Sequence, residues 1–393
     1  MNDIQIAFFF HDTDYYSGAT RSLIDLIDNY INNKKTRIIL VFPSNKGSAI
    51  DYYRNKDVCI ITSHYYQVRK DISESFIQSL IQLPKRLNNI VKSFFWCNLK
   101  TLPLLKKNNI DLIYINTSFN IAGYWMAKKM KVPVLAHFRE FGEEDHKITI
   151  WFGRKKYYKI VQNYSHIICI SEALKAKYKK FIDEKKISVV YDDISNKYIN
   201  WDRKLKDISK GFNILIAGNI ISGKGQLKVI KAILPLIKNN SKIKIYMAGG
   251  IGDRDYYDSI IKFVEENKIK EKIIFLGLVK DMNSLREKMH IGIVASDMEA
   301  FGRVTIEGML SGMLMIGTNQ GGTSELISDK KNGFLVDKNL KELNSIIYNI
   351  VNNYNDYYEV LLNAFDNALE YTKGNCAKNV LKVIEKEIEN GKD

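Results

Sequence analysis

Ile291-Gly292-Ile293-Val294-Ala295-Ser296-Asp297-Met298-Glu299-Ala300-Phe301-Gly302-Arg303-Val304-Thr305-Ile306-Glu307-Gly308-Met309 opens as a buried strand and closes as a helix. The apolar run Ile291 to Ala295 has the near-continuous Val/Ile character of a parallel strand covered on both faces. One carboxylate, Glu299, follows in the turn, and Gly302 leaves the backbone open for close approach. A second carboxylate, Glu307, falls eight positions after Glu299, in the first or second turn of a helix that the pattern starts near Arg303. Such a helix start carries roughly half a positive charge and free N–H groups, which suits a diphosphate. The two glutamates can accept sugar hydroxyls. The arrangement therefore suits a phosphorylated sugar.

Outward from this stretch, the same pattern recurs. Short apolar runs lie at Ile4–Phe10, Arg37–Phe42, Val58–Thr62, Asp111–Asn116, Val132–His137, His166–Ser171 and Ile187–Tyr191, and again at Phe212–Ala217, Ile243–Ala248, Lys272–Leu276, Ile291–Ala295, Leu314–Gly317 and Gly333–Val336. Helix-length segments separate them, so the fold class is α/β with βαβ units and doubly wound parallel sheets. The series pauses over the polar stretch 192–210, which is expected to be a linker. A chain of 393 residues exceeds one ordinary core. Two Rossmann-like domains are expected, and ligands in such sheets bind beyond the carboxyl ends of the strands. Two such domains facing one another would place a site in the cleft between them.

Other segments fall at strand ends. Gly218-Asn219-Ile220-Ile221-Ser222-Gly223-Lys224-Gly225-Gln226 follows a strand and opens a helix; Lys224 offers a point charge to phosphate, or the segment is a plain loop with a solvated lysine. At Gly277-Leu278-Val279-Lys280-Asp281 the backbone is placed to meet a nucleobase edge, or simply turns. Gly321-Gly322, between a strand and a helix, marks backbone near a ligand or a flexible loop. Ser17-Gly18-Ala19-Thr20 opens a helix after the first strand. His137 ends a strand within Ala136-His137-Phe138-Arg139-Glu140 and is either a site residue or a satisfied structural histidine. The triplets Asp12-Thr13-Asp14 and Asp253-Arg254-Asp255 are read as solvated loops, because a lysine and a helix dipole already offer neutralisation.

Composition excludes several classes. Hydrophobic content of 46% with 26% charged residues is that of a globular protein, and no stretch approaches the roughly 20 apolar residues of a membrane span. Met1-Asn2-Asp3 begins no secretory signal pattern. The scattered Cys59, Cys97, Cys169 and Cys376 form no metal or disulfide spacing and point to a reducing cytoplasm. The net charge of +15 is unusual, yet no nucleic-acid motif accompanies it.

Together these residues resemble the retaining family-4 glycosyltransferases of the GT-B fold, most densely from Ile214 to Val336. Residues 299–317 are similar to that family's donor-site signature, and Gly321-Gly322-Thr323, Glu325 and Asn332-Gly333-Phe334-Leu335-Val336 continue it. Residues 138–146 resemble a segment of bacterial members that build surface polysaccharides. The resemblance implies an N-terminal acceptor-side domain, 1–191 with a crossover helix at 376–393, and a donor domain, 211–375. It implies that Glu299, Lys224 and His137 face the reacting sugar and diphosphate, that Glu307 binds the ribose, and that backbone at Ala300, Phe301, Gly302, Val304 and Thr305 meets the donor. Gly18, Asn219 and Gly277 would line the donor; with arginine missing at Asn219, either Arg303 substitutes from the helix start or Lys224 acts with the helix dipole alone. The family usually has arginine where this chain has Asn219, and Asn-Gly where it has Asp192-Asp193.

The implied activity is transfer of a sugar from a nucleoside-diphosphate sugar to an acceptor hydroxyl with retention, needing no cofactor or metal. A lipid-linked or glycan acceptor in cell-envelope assembly is expected. Two stretches mix basic and aromatic residues: Lys85 to Lys107, and Lys147 to Lys159. They are solvated helix faces or contacts to an anionic surface on the inner face of the plasma membrane. Two other readings stay open: a non-catalytic GT-B subunit, supported by Asn219, and a nucleotide-sugar epimerase of similar architecture.

Overall fold

A computed structural model describes residues 4–31 and 36–391. Met1-Asn2-Asp3, and the last two residues of the 376–393 segment, lie outside the described residues. The chain divides into two compact units, Met1–Asp193 with Gly374–Asp393, and Ile194–Lys373.

The first unit holds a seven-stranded sheet in the order β3-β2-β1-β5-β6-β8-β9. Its strands are β1 (Ile4–Phe9), β2 (Thr36–Phe42), β3 (Cys59–Thr62), β5 (Leu112–Asn116), β6 (Val134–Phe138), β8 (His166–Cys169) and β9 (Ile187–Val189), and every pairing is parallel. Phe8, Leu40 and Tyr114 from these strands, and Phe10 just after β1, pack with Leu23, Leu26 and Ile27 of the helix Gly18–Ile31. Val380, Ile384 and Ile388 of the helix Asn375–Asn390 join the same core. That helix is tied down at its start. The Asp193 carboxylate accepts the Ala377 N–H at 3.2 Å, and the Tyr30 hydroxyl donates to the Ala377 carbonyl at 2.9 Å. A carboxylate at exposed-amide positions of a helix start is the expected partner.

The second unit holds a six-stranded parallel sheet in the order β12-β11-β10-β13-β14-β15. These are β10 (Phe212–Ala217), β11 (Ile243–Ala248), β12 (Ile273–Gly277), β13 (Ile291–Val294), β14 (Leu314–Thr318) and β15 (Phe334–Val336). Each apolar run identified in the sequence is a strand of one of the two sheets. A short antiparallel pair in the first unit, β4 (Arg69–Asp71) with β7 (Ile148–Ile150), was not foreseen.

In both sheets the strand order reverses once, between β1 and β5 and between β10 and β13. Neighbouring connections leave such a point in opposite directions, which opens a crevice at the carboxyl ends. Strands β10 and β13 pair only through Ile214 with Ile291 and Leu215 with Gly292, so their carboxyl ends are free of one another.

The polar stretch 192–210 is more than a connector. Asp192 and Asp193 are buried in the first unit, and Tyr198 and Trp201 are buried in the second. A Cβ on Gly312 would lie 2.4 Å from the Trp201 ring, so the indole is seated on bare backbone. Polar composition hid this packing because two aromatic anchors in a long stretch leave no period. Among the described residues no helix is long and apolar enough to cross a membrane.

Candidate functional site

In the second unit, the loops after β10 and β13 meet at the reversal point. The Asp297 N–H donates to the Gly223 carbonyl at 2.9 Å, and a Cβ on Gly225 would stand 2.3 Å from the Ala295 carbonyl oxygen. Gly225 has φ +72, a conformation that glycine adopts at little cost. Backbone thus lies on backbone, and it brings two distant side chains together: Lys224 Nζ is 2.8 Å from Glu299 Oε2. Both remain partly open to solvent.

The Glu299 loop is clamped from its other side. The Gly322 N–H donates to the Glu299 carbonyl at 2.7 Å, and a Cβ on Gly321 would approach that oxygen to 2.3 Å. The double glycine therefore serves close packing against residues 299–301 and is not a loose loop. Ala300 and Phe301 are buried beneath.

Gly302, at φ +105, precedes the helix Arg303–Met309 and offers no side-chain cap. The Thr305 N–H is already engaged, donating to the Gly302 carbonyl at 2.8 Å. Thr305 Oγ1 is buried without a hydrogen-bond partner. The resemblance places the amides near Val304 and Thr305 at the diphosphate, and of these two Val304 is the one without a hydrogen-bond partner among the described residues.

Glu307 is 3% exposed and is held by a residue that the sequence did not single out. Arg286 Nη2 donates to Glu307 Oε2, while Arg303 Nε stands 3.9 Å from Oε1. Arg286 is buried near the Tyr198 ring, 5.7 Å from its centroid. Lys206 donates to the carbonyls of Arg286 and Met289 at 2.8 and 2.7 Å, fixing the end of the helix Met282–Glu287. The segment 194–210 thereby braces Arg286, and Arg286 orients Glu307. Asn219 is exposed after β10, and its carbonyl accepts from Gln226 Nε2 at 2.9 Å. Gly277 ends β12 at φ +62 with open space where a side chain would be.

In the first unit, the sequence-predicted Gly18 and His137 differ in setting. Gly18 begins its helix exposed, with nothing within 4 Å of a Cβ placed there. His137 is fully buried. Arg139 Nη2 donates to His137 Nδ1 at 3.1 Å, and the Tyr114 hydroxyl bonds the same atom. An accepting Nδ1 leaves the proton on Nε2, and Nε2 is buried without a partner. Burial and the neighbouring Arg139 hold the His137 pKa well below the usual imidazole value, so the ring is neutral.

Around it runs a polar network that the sequence did not predict. Arg139 Nε donates to Asn116 Oδ1 at 2.7 Å, and Arg139 pairs with the buried Asp192. Asn116 Nδ2 is 3.2 Å from His11 Nδ1, and His11 Nε2 is 2.9 Å from Asp12. The Glu140 carboxylate accepts from the Ser118 amide and hydroxyl at 2.6 and 2.7 Å. Arg139 and Glu140 thus brace the carboxyl ends of β5 and β6. Asp12 belongs to this network, and Asp253 caps the helix Arg254–Glu266 through the Tyr256 N–H at 3.0 Å; neither triplet is only a solvated loop.

Two family models match this chain: Glycosyltransferase Family 4 over residues 16–192, and Glycosyl transferases group 1 over residues 198–364. An uncharacterised glycosyltransferase of Methanocaldococcus jannaschii is 28% identical over 291 residues, spanning 72% of this chain and 77% of that protein. The capsular polysaccharide biosynthesis glycosyltransferase CapM of Staphylococcus aureus is 26% identical over 185 residues, 44% of this chain and 48% of CapM. The crystal structure of HepE from Anabaena, in complex with UDP and glucose, superposes with a TM-score of 0.76 at 18% identity, covering 98% of this chain and all of that one. The chain is a glycosyltransferase of the family 4 and group 1 type, built on the GT-B fold.

Proposed function

We propose that this glycosyltransferase moves a sugar from a nucleoside-diphosphate sugar to an acceptor hydroxyl with retention of configuration, without a metal, in bacterial surface-polysaccharide or glycoconjugate assembly. The observation that carries this reading is the pairing of Lys224 with Glu299 where β10 and β13 part, one residue suited to phosphate and the other to sugar hydroxyls. HepE, a protein of the same fold, is crystallised with UDP and glucose, and CapM serves capsular polysaccharide biosynthesis.

In the proposed reaction the bond between the anomeric carbon and the donor phosphate breaks. The acceptor oxygen bonds that carbon on the same face, and its proton passes to the departing phosphate. Negative charge grows on the diphosphate, so fixed donors there supply the largest stabilisation. Lys224 and the Val304 amide take that role. Glu299 holds sugar hydroxyls, Glu307 holds the ribose, and backbone at Gly277 meets the base. Gly18 and His137, in the first unit, keep the roles that the family resemblance implies for them. The acceptor is lipid-linked or a glycan, and the protein works in the cytoplasm on the inner face of the membrane.

A thermal-shift panel with UDP, GDP, TDP and ADP and their sugars tests the donor half, since a ligand that binds only the folded state raises its apparent stability. One nucleotide series is expected to stabilise the protein, and transfer is expected to survive chelator. No shift with any nucleotide overturns the reading. Asn219, exposed where the family usually has arginine, favours a second reading: a GT-B subunit that binds nucleotide but releases neither sugar nor nucleotide from the intact donor.

A further inference from the structure

The helix Phe76–Trp96 is amphipathic and inside out. It runs for 21 residues with a capping box at Ser75 and Gln78, yet none of its residues is buried. Ile77, Leu80, Leu87, Val91 and Phe95 form one stripe at helical spacing, and each is at least half exposed. The opposite face, with Arg86, Asn89 and Ser93, is the less exposed one and lines a cavity, with Gln82 at its exposed edge. A helix on a globular unit ordinarily buries its apolar stripe. Here the polar stripe faces the unit, and beneath it lies a cavity of about 860 Å³.

The cavity walls are chiefly aliphatic and aromatic. Val68, Phe94, Trp125, Met126, Trp151 and Phe152 contribute. Interiors hold few voids larger than a water molecule, and an apolar space of this size suits an organic ligand. Cations also stand on the wall. Arg86 is paired with Glu74 and Lys129 with Asn98, but Arg69 and Lys85 have no ion-pair partner among the described residues. From Phe76 to Lys107 the chain carries no carboxylate. His11, which follows β1 at the carboxyl edge of the sheet, lines the cavity as well. The space thus joins a cationic helix with an apolar outer face to the sheet edge where the glycine-opened helix Gly18–Ile31 begins.

We propose that this cavity holds the hydrocarbon chain of an amphiphile whose phosphate carries a hydroxyl-bearing head: the acceptor, taken from an anionic bilayer on which the helix Phe76–Trp96 rests. The apolar walls take the chain, Arg69 and Lys85 take the phosphate, and the sheet edge at His11 receives the head. This rests on the reading of the chain as a transferase with a lipid-linked acceptor. The same chemistry is shared by an ordinary membrane lipid, and the experiment separates the two.

Trp125 and Trp151 line the cavity and report on it directly. Farnesyl monophosphate, kept below its micelle concentration, is expected to change their emission saturably, and inorganic phosphate is not. Ser93→Phe, which fills the inner face, is expected to weaken binding by about tenfold or more, equivalent to losing the burial of roughly two methylenes. Lys85→Glu is expected to weaken farnesyl monophosphate and leave farnesol unchanged. Absence of saturable binding, or unchanged affinity in Ser93→Phe, overturns the proposal. Release of nucleoside diphosphate from the donor that rises with a farnesyl-diphosphate-linked monosaccharide, whose sugar supplies the accepting hydroxyl, and no longer does so in Ser93→Phe, marks the acceptor. Binding without that effect, matched by lysophosphatidylglycerol, overturns the acceptor assignment and makes the cavity a lipid-anchoring groove. A nucleotide thermal shift on the same samples keeps the two readings apart. Chain binding without a nucleotide shift sinks the proposed function and the acceptor assignment with it, leaving a lipid-binding cavity, and a nucleotide shift without chain binding sinks the cavity alone.

Discussion

Lys224 and Glu299 are bonded to each other, 2.8 Å apart, at the carboxyl edge of the second unit's sheet. The contact is partly open to water, so it contributes little stability of its own. Under the proposed function, a donor that uses both residues must part them. Lys224→Ala is expected to lower the transfer rate about 10²–10³-fold, the usual effect of removing one donor to a developing anion. A double-mutant cycle with Glu299→Ala decides whether the pair is merely structural. If each residue touches the donor, the double variant is slower than either single one. Recovery in the double variant would mean that the two act only on each other.

The buried pair of Arg286 and Glu307 is of another kind. Removing one partner strands a charge in the interior, which costs about 3–5 kcal/mol. Arg286→Met is expected to destabilise the protein by that amount in urea unfolding, and Glu307→Ala by a similar amount. Loss of activity in Glu307→Ala is therefore ambiguous by itself. Glu307→Gln keeps the shape and is the cleaner probe of ribose contact. A change of under about 1 kcal/mol in Arg286→Met would show that the pair does not hold this region.

Burial pushes the Asp193 carboxyl up to about 6, against the amides at the start of the helix Asn375–Asn390 that draw it down. Its folded pKa is raised above the ordinary value of about 3.9. The stability linked to it is fully present below about pH 4 and is lost as pH rises through about 6. Asp193→Asn cannot titrate. The unfolding free energy of the natural protein minus that of Asp193→Asn is expected to fall by roughly 2–3 kcal/mol between pH 4 and 7. A difference that stays flat across that range removes the assignment.

The outward stripe of the helix Phe76–Trp96 predicts attachment to anionic vesicles at low salt, weakening as salt screens the lysines. Leu87→Glu with Val91→Glu is expected to abolish sedimentation with such vesicles while leaving the nucleotide thermal shift unchanged. Equal binding to neutral vesicles would contradict an electrostatic component.

Strands buried on both faces leave unbroken Val, Ile and Leu runs, and for that reason both sheets were legible in the sequence. The pair β4 and β7 was not, since Arg69-Lys70-Asp71 is three polar residues with no period to detect. At the site, Lys224 and Glu299 each stood out at a strand end, and the reversal of strand order explains why they meet. Arg286 was invisible, because its tie to Glu307 crosses 21 positions and a single sequence records no pairing. Asp192 and Asp193 read as departures from a family pattern, whereas Asp192 neutralises Arg139 and Asp193 caps a helix. His137 stood out as a strand-end residue, but the Arg139, Asn116 and Asp192 shell that fixes its tautomer comes from separate strands and a loop.

The first unit's core contains Val380, Ile384 and Ile388 together with Phe8 and Leu23. These residues emerge from the ribosome only after all of Ile194–Lys373 has been made. At about 5–20 residues per second, that is a delay of roughly ten to forty seconds. The second unit can therefore fold first, while β1 to β9 await the helix that completes them. Until those residues are made, the face of the first unit's core that they cover has no partner from this helix, and a chain ended before Gly374 leaves it uncovered.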